Sequence, residues 1–216
     1  MTLKCALRSL LRGCRVFSIL EAAGWPIWFL LLASIISVAL IIERFIALRR
    51  SKIVPPGLLA GVVSEYKQSG FSPDRLKMLE GHSPLGRLFA AGVKNAKNPR
   101  DVMKEAIEEE GRGVAHELER FLTTLGTIAS ISPLMGLFGT VVGMIEIFGS
   151  PTASGNNPQA LAHGISVALY NTGFGLIIAI PSMIFYRHFR ALVDSLLVEM
   201  ELQAIKLVEL IHGERS

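Results

Sequence analysis

The chain has 216 residues, 50% of them hydrophobic, and a positive mean hydropathy of +0.46. These values exclude an ordinary soluble enzyme and are typical of an integral membrane protein. The net charge of +4 comes without a basic patch interleaved with aromatic residues, so nucleic acid is not an expected partner. Cys5 and Cys14 lack metal-ligand spacing with any histidine, and neither a metal nor another cofactor is expected.

Residues 1–20 carry basic and leucine residues at helical spacings. Lys4, Arg8, Arg12 and Arg15 fall on one face of a helix, and leucines supply the apolar side. This pattern predicts an amphipathic helix that lies on the membrane surface. The charged start of a signal peptide is the alternative. It is rejected because the following apolar run is too long and lacks an A-x-A cleavage site.

Three stretches are long enough to cross a hydrocarbon core, which takes about 20 apolar residues. Residues 22–42 carry no charge, 25 uncharged residues lie between Arg120 and Glu146, and 23 lie between His163 and Arg187. The break GSPTASGNNPQA between the last two is short, so they should form an antiparallel hairpin. The sequence predicts an all-α integral membrane protein with a helical cytoplasmic domain and long helices that extend from spans 2 and 3 into the cytoplasm.

The predicted domains follow from these spans. In chain order they are an amphipathic segment at 1–20, transmembrane helices at 21–43, 121–148 and 161–186, a cytoplasmic helical region at 44–120 between the first two, an external loop at 149–160, and a cytoplasmic C-terminal helix at 187–216.

Basic residues after the first and third spans set the predicted orientation. They are Arg44, Arg49, Arg50 and Lys52 after the first span, and Arg187 and Arg190 after the third. The positive-inside rule places both flanks in the cytoplasm and the N-terminus outside. The basic segment 1–20 favours the opposite orientation, but the two flanks agree with each other and decide the prediction.

The polar region contains several helix-start signals. Ser83-Pro84 is an N-cap and first-turn pair, and Asn98-Pro99 is interpreted in the same way. The helix after Pro99 is expected to run unbroken into the second span. Its acidic residues are interpreted as a solvated helix face rather than a metal site. They are Glu105, Glu108, Glu109 and Glu110.

Apolar residues after the third span alternate in steps of four and three, as in an a/d heptad seam. They are Val193, Leu197, Met200, Ala204, Leu207 and Ile211. Such a face needs a partner helix, and within the second span Gly139 and Gly143 form a small-xxx-small pair that lets helices approach closely. Together the seam and the glycine pair predict a homo-oligomer.

The second and third spans contain more polar residues than a simple anchor needs. Thr140, Ser166, Asn171 and Thr172 are examples, and polar groups in a membrane normally face a bundle interior or a wet cavity. The alternative is that the hydroxyls only bond to their own helix. The sequence shows no nucleophile–base set, phosphate-binding loop or HExxH motif, so an enzyme is not expected.

Four stretches resemble the ExbB/TolQ proton-channel family, whose distant relatives include MotA. They are GWPIWFLLLASIISVALIIERF, GHSPLGRLF, ASISPLMGLFGTVVGMIEIF and ALYNTGFGLIIAIP, and the resemblance covers roughly residues 20–190. It implies a multi-pass inner-membrane stator subunit with a periplasmic N-terminus and a cytoplasmic C-terminus. It further implies a pentamer around a single-span ExbD/TolR-type partner, and allows a TonB/TolA-type protein as another partner. The proton motive force would then energise transport or another process at the outer membrane.

The resemblance also implies functional residues. Thr140 in GLFGTVVG and Thr172 in YNTGFG match the family's pore threonines. Val167 stands where the family has a pore glutamate, and no acidic residue lies deep in a span, so the relaying carboxylate is expected from the partner's aspartate. His163 and Asn171 lie one turn to either side of Val167.

Histidine exchanges protons near neutral pH, so the hypothesis is that proton entry has moved outward to His163, with Asn171 as an inner polar contact. The alternative for His163 is a simple helix-start residue.

Two other functions stay open at this point. Because of Val167, a non-conducting scaffold of the same fold is one alternative. A small secondary transporter with a helix broken at Pro133 or Pro181 is the other, although inverted repeats and extra spans are not visible. A neighbouring gene for a single-span protein with an aspartate early in its span would favour the stator interpretation.

Overall fold

A computed structural model describes residues 25–68, 70–149 and 158–213. These ranges contain helices and no strand, which confirms the predicted all-α class. The helices are α1 (Pro26–Ala47), α2 (Arg50–Ile53), α3 (Leu58–Gln68), α4 (Pro73–His82), α5 (Pro84–Lys94), α6 (Arg100–Glu119), α7 (Leu122–Gly149) and α8 (Pro158–His212). The segment 1–20 and most of the 149–160 connection, for which an amphipathic helix and an external loop were predicted, lie outside the described residues.

Within the described ranges, three helical stretches are long and apolar enough to cross a membrane. One is Pro26–Ala47, and the other two lie within Arg100–Gly149 and Gly164–His212. The chain divides into two compact units. The membrane unit comprises the described residues of 25–41 and 124–186. The polar unit comprises those of 42–123 and 187–213.

Glycines line the contact between α7 and α8 in the membrane unit. A Cβ atom at Gly139 would lie 2.8 Å from the Cβ of Asn171, and one at Gly136 would lie 2.7 Å from the Asn171 carbonyl oxygen. From the other side, a Cβ at Gly175 would lie 2.5 Å from the Ser132 carbonyl oxygen. Real Cβ atoms do not approach other atoms this closely, so only glycine permits this helix spacing.

A pair of buried serines joins α1 to α8. The Oγ atoms of Ser37 and Ser182 are 2.6 Å apart, and Ser182 donates to the Ile178 carbonyl at 2.7 Å. Ser37 must then be the donor between the two hydroxyls, because each hydroxyl has one proton. The chain of bonds satisfies both buried groups, and nothing in the sequence singled it out.

The two predicted helix starts in the polar unit have different outcomes. Ser83 is the N-cap of α5, with its Oγ accepting a hydrogen bond from the Gly86 amide at 3.0 Å, and this prediction is confirmed. The prediction for Asn98 is wrong, because the N-cap of α6 is Pro99. The side-chain amide of Asn98 instead donates to the side-chain oxygen of Asn95 at 3.0 Å, so Asn98 belongs to the preceding turn.

The prediction of an unbroken helix into the second span is also wrong. Helix α6 ends at Glu119 and α7 begins at Leu122. Between them Phe121 has a φ of 65°, the only positive φ among the non-glycine residues that the structure describes. A bulky residue rarely adopts this left-handed conformation, so other contacts must hold it there.

Arg44 supplies those contacts. Its side chain is buried and donates a hydrogen bond from Nη1 to the Leu118 carbonyl at 3.1 Å. The guanidinium also lies 5.4 Å from the centre of the Phe121 ring, and that of Arg120 lies 4.6 Å from it. The last carbonyls of a helix have no intrahelical donor, so Arg44 satisfies one that the break leaves open.

The apolar seam on α8 is covered within the chain. Four of its six residues are buried in the polar unit, namely Val193, Met200, Ala204 and Leu207. Met200 and Ala204 line a cavity together with Leu88 of α5 and Ile107 of α6. The inference that this seam requires a second copy is therefore wrong, because α5 and α6 already face it.

The acidic face of α6 takes part in an ion-pair network. Arg87 donates to Glu110 at 2.7 and 2.9 Å and to Glu117 at 2.6 Å. Partial burial alone would lower the pKa of Arg87, but the hydrogen bonds and the charges of both carboxylates outweigh it and raise the pKa. Glu110 thus has a structural partner on α5.

Candidate functional site

Thr140 on α7 and Thr172 on α8 form a hydrogen bond across the hairpin. Their Oγ1 atoms are 2.6 Å apart, and Thr140 Oγ1 also lies 3.1 Å from the Gly136 carbonyl and 3.3 Å from the Ala168 carbonyl. Thr140 has a single proton to donate. When the Thr140 hydroxyl donates to a carbonyl, the Thr172 hydroxyl donates to Thr140. When the Thr140 hydroxyl instead donates to Thr172, the proton of Thr172 is available to another group. Both residues are only partly buried.

Asn171 lies in the contact between the helices. It is 1% exposed, and its side chain covers Gly139. Its neighbour Thr172 forms the hydrogen bond to Thr140, so Asn171 and the two threonines belong to one continuous patch. In this single chain the Asn171 side chain packs between helices and does not form an exposed wall.

Val167 does not join this patch. It precedes Thr172 by five residues, which corresponds to about 140° around an α-helix. The α7-facing positions Ala168 and Asn171 lie between the two, so Val167 and Thr172 are on opposite edges of the α7–α8 contact. The backbone of His163 belongs to α8, and the structure does not describe the His163 side chain.

The two glycines predicted to pack helices both face α8 of the same chain. Gly139 faces Asn171, and a Cβ at Gly143 would lie 3.2 Å from the Cβ of Ala168. The glycines at 136 and 175, which the sequence did not single out, lie in equally close contacts. Close helix approach within one hairpin accounts for all four.

Several other hydroxyls in the spans bond to their own helix. Ser130 donates to the Gly126 carbonyl at 2.9 Å, and Ser166 donates to the Ala162 carbonyl at 2.9 Å. For these residues, the interpretation that the hydroxyls only bond to their own helix accounts for the observed contacts. Thr140 and Thr172 differ from them because their hydrogen bond crosses from one span to the other.

Residues 80–202 match the model of the MotA/TolQ/ExbB proton channel family. The match covers more than half of the chain and includes α7, the membrane part of α8 and the threonine pair. The chain belongs to the MotA/TolQ/ExbB proton channel family.

Individual relatives extend this result. The chain is 31% identical to a putative biopolymer transport protein ExbB-like 3 of Synechocystis, over 74% of this chain and 77% of the relative. It is 30% identical to the biopolymer transport protein exbB1 of Vibrio cholerae, over 76% and 74%. It is 34% identical to the Tol-Pal system protein TolQ of Pseudomonas aeruginosa, over 61% and 60%. MotA/TolQ/ExbB proteins are channel-type subunits that work in membrane complexes with partner proteins.

Proposed function

We propose that this protein is a proton-conducting stator subunit of a bacterial inner-membrane complex. In this proposal it forms a homo-oligomer, a pentamer as the family resemblance implies, around a single-span ExbD/TolR-type partner. The complex uses the proton motive force to energise biopolymer transport or another process at the outer membrane, with a TonB/TolA-type protein as a possible further component of the machine. The N-terminus is periplasmic and the C-terminus cytoplasmic.

The observation that carries the proposal is the partly exposed hydroxyl pair of Thr140 and Thr172. Two spans that are otherwise mainly apolar bring these groups to 2.6 Å from each other in a chain of a proton-channel family. A hydroxyl both donates and accepts hydrogen bonds, so the pair can bind a water molecule or a partner's carboxylate in a low-dielectric setting. We assign the two threonines to the pore wall.

The remaining site residues have supporting roles in this proposal. Asn171 fills the space over Gly139 and thereby sets the position of Thr172, the next residue. Gly139 and Gly143 allow the close helix approach on which the threonine hydrogen bond depends. Val167 and His163 belong to the outer part of α8, where His163 is proposed to receive protons.

The test replaces each threonine by valine, which keeps the shape and removes the hydroxyl. Thr140→Val and Thr172→Val should each lower proton flux by at least ten-fold in vesicles that contain the chain and the single-span protein with which it copurifies. The assembled complex should keep its size in native mass spectrometry. Ser166→Ala is the matched control, because that hydroxyl bonds only to its own helix. Normal flux in the double threonine variant would exclude the threonines from the pathway.

A non-conducting scaffold of the same fold is the second candidate, and Val167 is the observation that favours it. A valine cannot bind a proton, so this chain has no carboxylate at that position of α8. The two candidates differ in one measurement. A scaffold predicts an assembled wild-type complex without proton flux above that of vesicles lacking it.

A further inference from the structure

The described part of the membrane unit contains a single carboxylate, that of Glu146. The other titratable side chains that the structure describes there are Tyr170 and Tyr186. Glu146 is exposed, and its neighbours Ile145 and Phe148 are exposed apolar residues at 66% and 60%. An ionised side chain in hydrocarbon is costly, and acidic residues in spans usually mark ion or proton pathways.

Contacts across the hairpin fix the level of Glu146 in the membrane unit. Gly143 faces Ala168, and Ile147 lies over Gly164. A Cβ atom added at Gly164 would lie 2.7 Å from the Cδ1 atom of Ile147. Residue 146 is therefore level with about residue 165 of α8. It lies between the levels of His163 and Val167, about 3 Å from each along the axis at 1.5 Å per residue.

The direction of Glu146 follows from the helical repeat. It is six residues beyond Thr140, so the two lie about 120° apart around α7, on opposite sides of the line through Gly139 and Gly143. Val167 is likewise on the opposite side of α8 from Thr172. Since Thr140 and Thr172 bond to each other on one edge of the hairpin, Glu146 and Val167 share the other edge.

Among the described residues, no hydrogen bond or ion pair holds the Glu146 carboxylate. Glu43, the acidic residue at the end of the first span, behaves differently, because it accepts hydrogen bonds from Arg44 at 2.5 and 2.8 Å. Without such a partner, a carboxylate beside apolar side chains is stabilised by taking up a proton or by a group outside the described residues. Both possibilities suit a residue that exchanges protons.

We propose that Glu146 is a proton-binding residue of the conduction path, at the end of α7 next to the α7–α8 connection. It takes up a proton there, becomes neutral, and releases the proton towards the residues deeper in the hairpin. Asn171, which lies between the two edges against Gly139, is a polar group deeper on α8. This inference rests on the proposed function.

The first test asks whether Glu146 is protonated in a bilayer, independently of transport. Dicyclohexylcarbodiimide modifies protonated carboxyls in apolar surroundings. The full chain in phosphatidylcholine–phosphatidylglycerol nanodiscs at pH 7 should be modified at Glu146, as mapped by mass spectrometry, and Glu43 should not react because its carboxylate is bound by Arg44. An unmodified Glu146 would show that the carboxylate is merely ionised among lipid headgroups and would overturn the proposal.

The second test measures proton flux in the vesicles described above. Glu146→Gln should lower flux at least ten-fold while assembly stays intact. Adding Val167→Glu restores a carboxyl on the same edge at nearly the same level, so the double variant should recover part of the flux. The matched control adds Ile145→Glu instead, which moves the carboxyl about 100° around α7, and it should not restore flux.

The outcomes separate the two proposals. Normal flux in Glu146→Gln, or equal recovery by Ile145→Glu and Val167→Glu, would remove Glu146 from the path even if the threonine variants are inactive. No flux in the wild type, together with carbodiimide modification of Glu146, would overturn the proposed function while leaving a protonated carboxyl at this place.

Discussion

Replacement of Arg44 by leucine should destabilise the polar unit although Arg44 looks, in the sequence, like one of several basic flanking residues. The variant removes the donor to the Leu118 carbonyl and the cation over the Phe121 ring. It thus removes the contacts that hold the chain in its left-handed conformation between α6 and α7. Glu43 loses its partner as well, but it is 45% exposed and can be solvated.

The size of the effect follows from these contacts. A hydrogen bond from a charged donor contributes about 1.5–3 kcal/mol, and a partly desolvated cation–π contact about 1 kcal/mol. The pair with half-exposed Glu43 adds less than about 1 kcal/mol. Relief from burying a charge offsets part of the loss, so we expect a net cost of about 2–4 kcal/mol. For a chain of this size that corresponds to a Tm lower by about 5–15 °C.

The measurement is the thermal unfolding midpoint in detergent, followed by near-UV circular dichroism, together with hydrogen exchange of the amides from Glu119 to Thr123. Arg49→Leu is the matched control, since Arg49 is exposed. Arg44→Lys keeps the positive charge and loses the planar guanidinium, so its Tm should lie between those of the wild type and Arg44→Leu. A Tm of Arg44→Leu within 2 °C of the Arg49→Leu value (about 1 kcal/mol or less), with unchanged exchange, would refute the assignment.

Two further predictions concern packing and orientation. Gly139→Ala should lower the Tm by several degrees, because the added Cβ would be 2.8 Å from Asn171. Gly173→Ala is the control and should leave the Tm unchanged, because no atom lies within 4 Å of its added Cβ. Equal Tm values for the two variants would contradict the glycine contacts. In a background without Cys5 and Cys14, an impermeant maleimide added to intact spheroplasts should label Asn156→Cys and spare Gln68→Cys, and the reverse pattern would overturn the proposed orientation.

The three spans could be predicted from the sequence because a long run of uncharged, apolar residues is a local property of the chain. The break at Phe121 could not, since residues 119–122 contain neither glycine nor proline and their composition is typical of a continuing helix. The left-handed residue depends on Arg44, which is 77 positions away in the sequence. A contact between distant residues leaves no local pattern.

The seam on α8 shows a related limit. Its heptad spacing correctly indicates a face that is covered, with Val193 and Leu207 almost fully buried. Periodicity does not say which surface covers it, and here Met200 and Ala204 of the seam line a cavity with Leu88 of α5 and Ile107 of α6 in the same chain. In the candidate site, the resemblance pointed to Thr140 and Thr172, and their direct hydrogen bond is a finding of the structure. The separation of Val167 from Thr172 follows from helical spacing alone and is predictable from the sequence.

Burial distinguishes the Ser37–Ser182 pair from the Thr140–Thr172 pair, each of which joins different spans. Ser37 and Ser182 are 3% and 1% exposed, and their bonds end on a backbone carbonyl, so no group from outside can reach them. Their role is to fix α1 against α8. Thr140 and Thr172 have the same hydroxyl separation of 2.6 Å but remain partly exposed, and their shared proton can be donated in either direction. The threonine pair therefore combines a fixed position with access for a water or a carboxylate, which is the combination that the proposed pore wall uses.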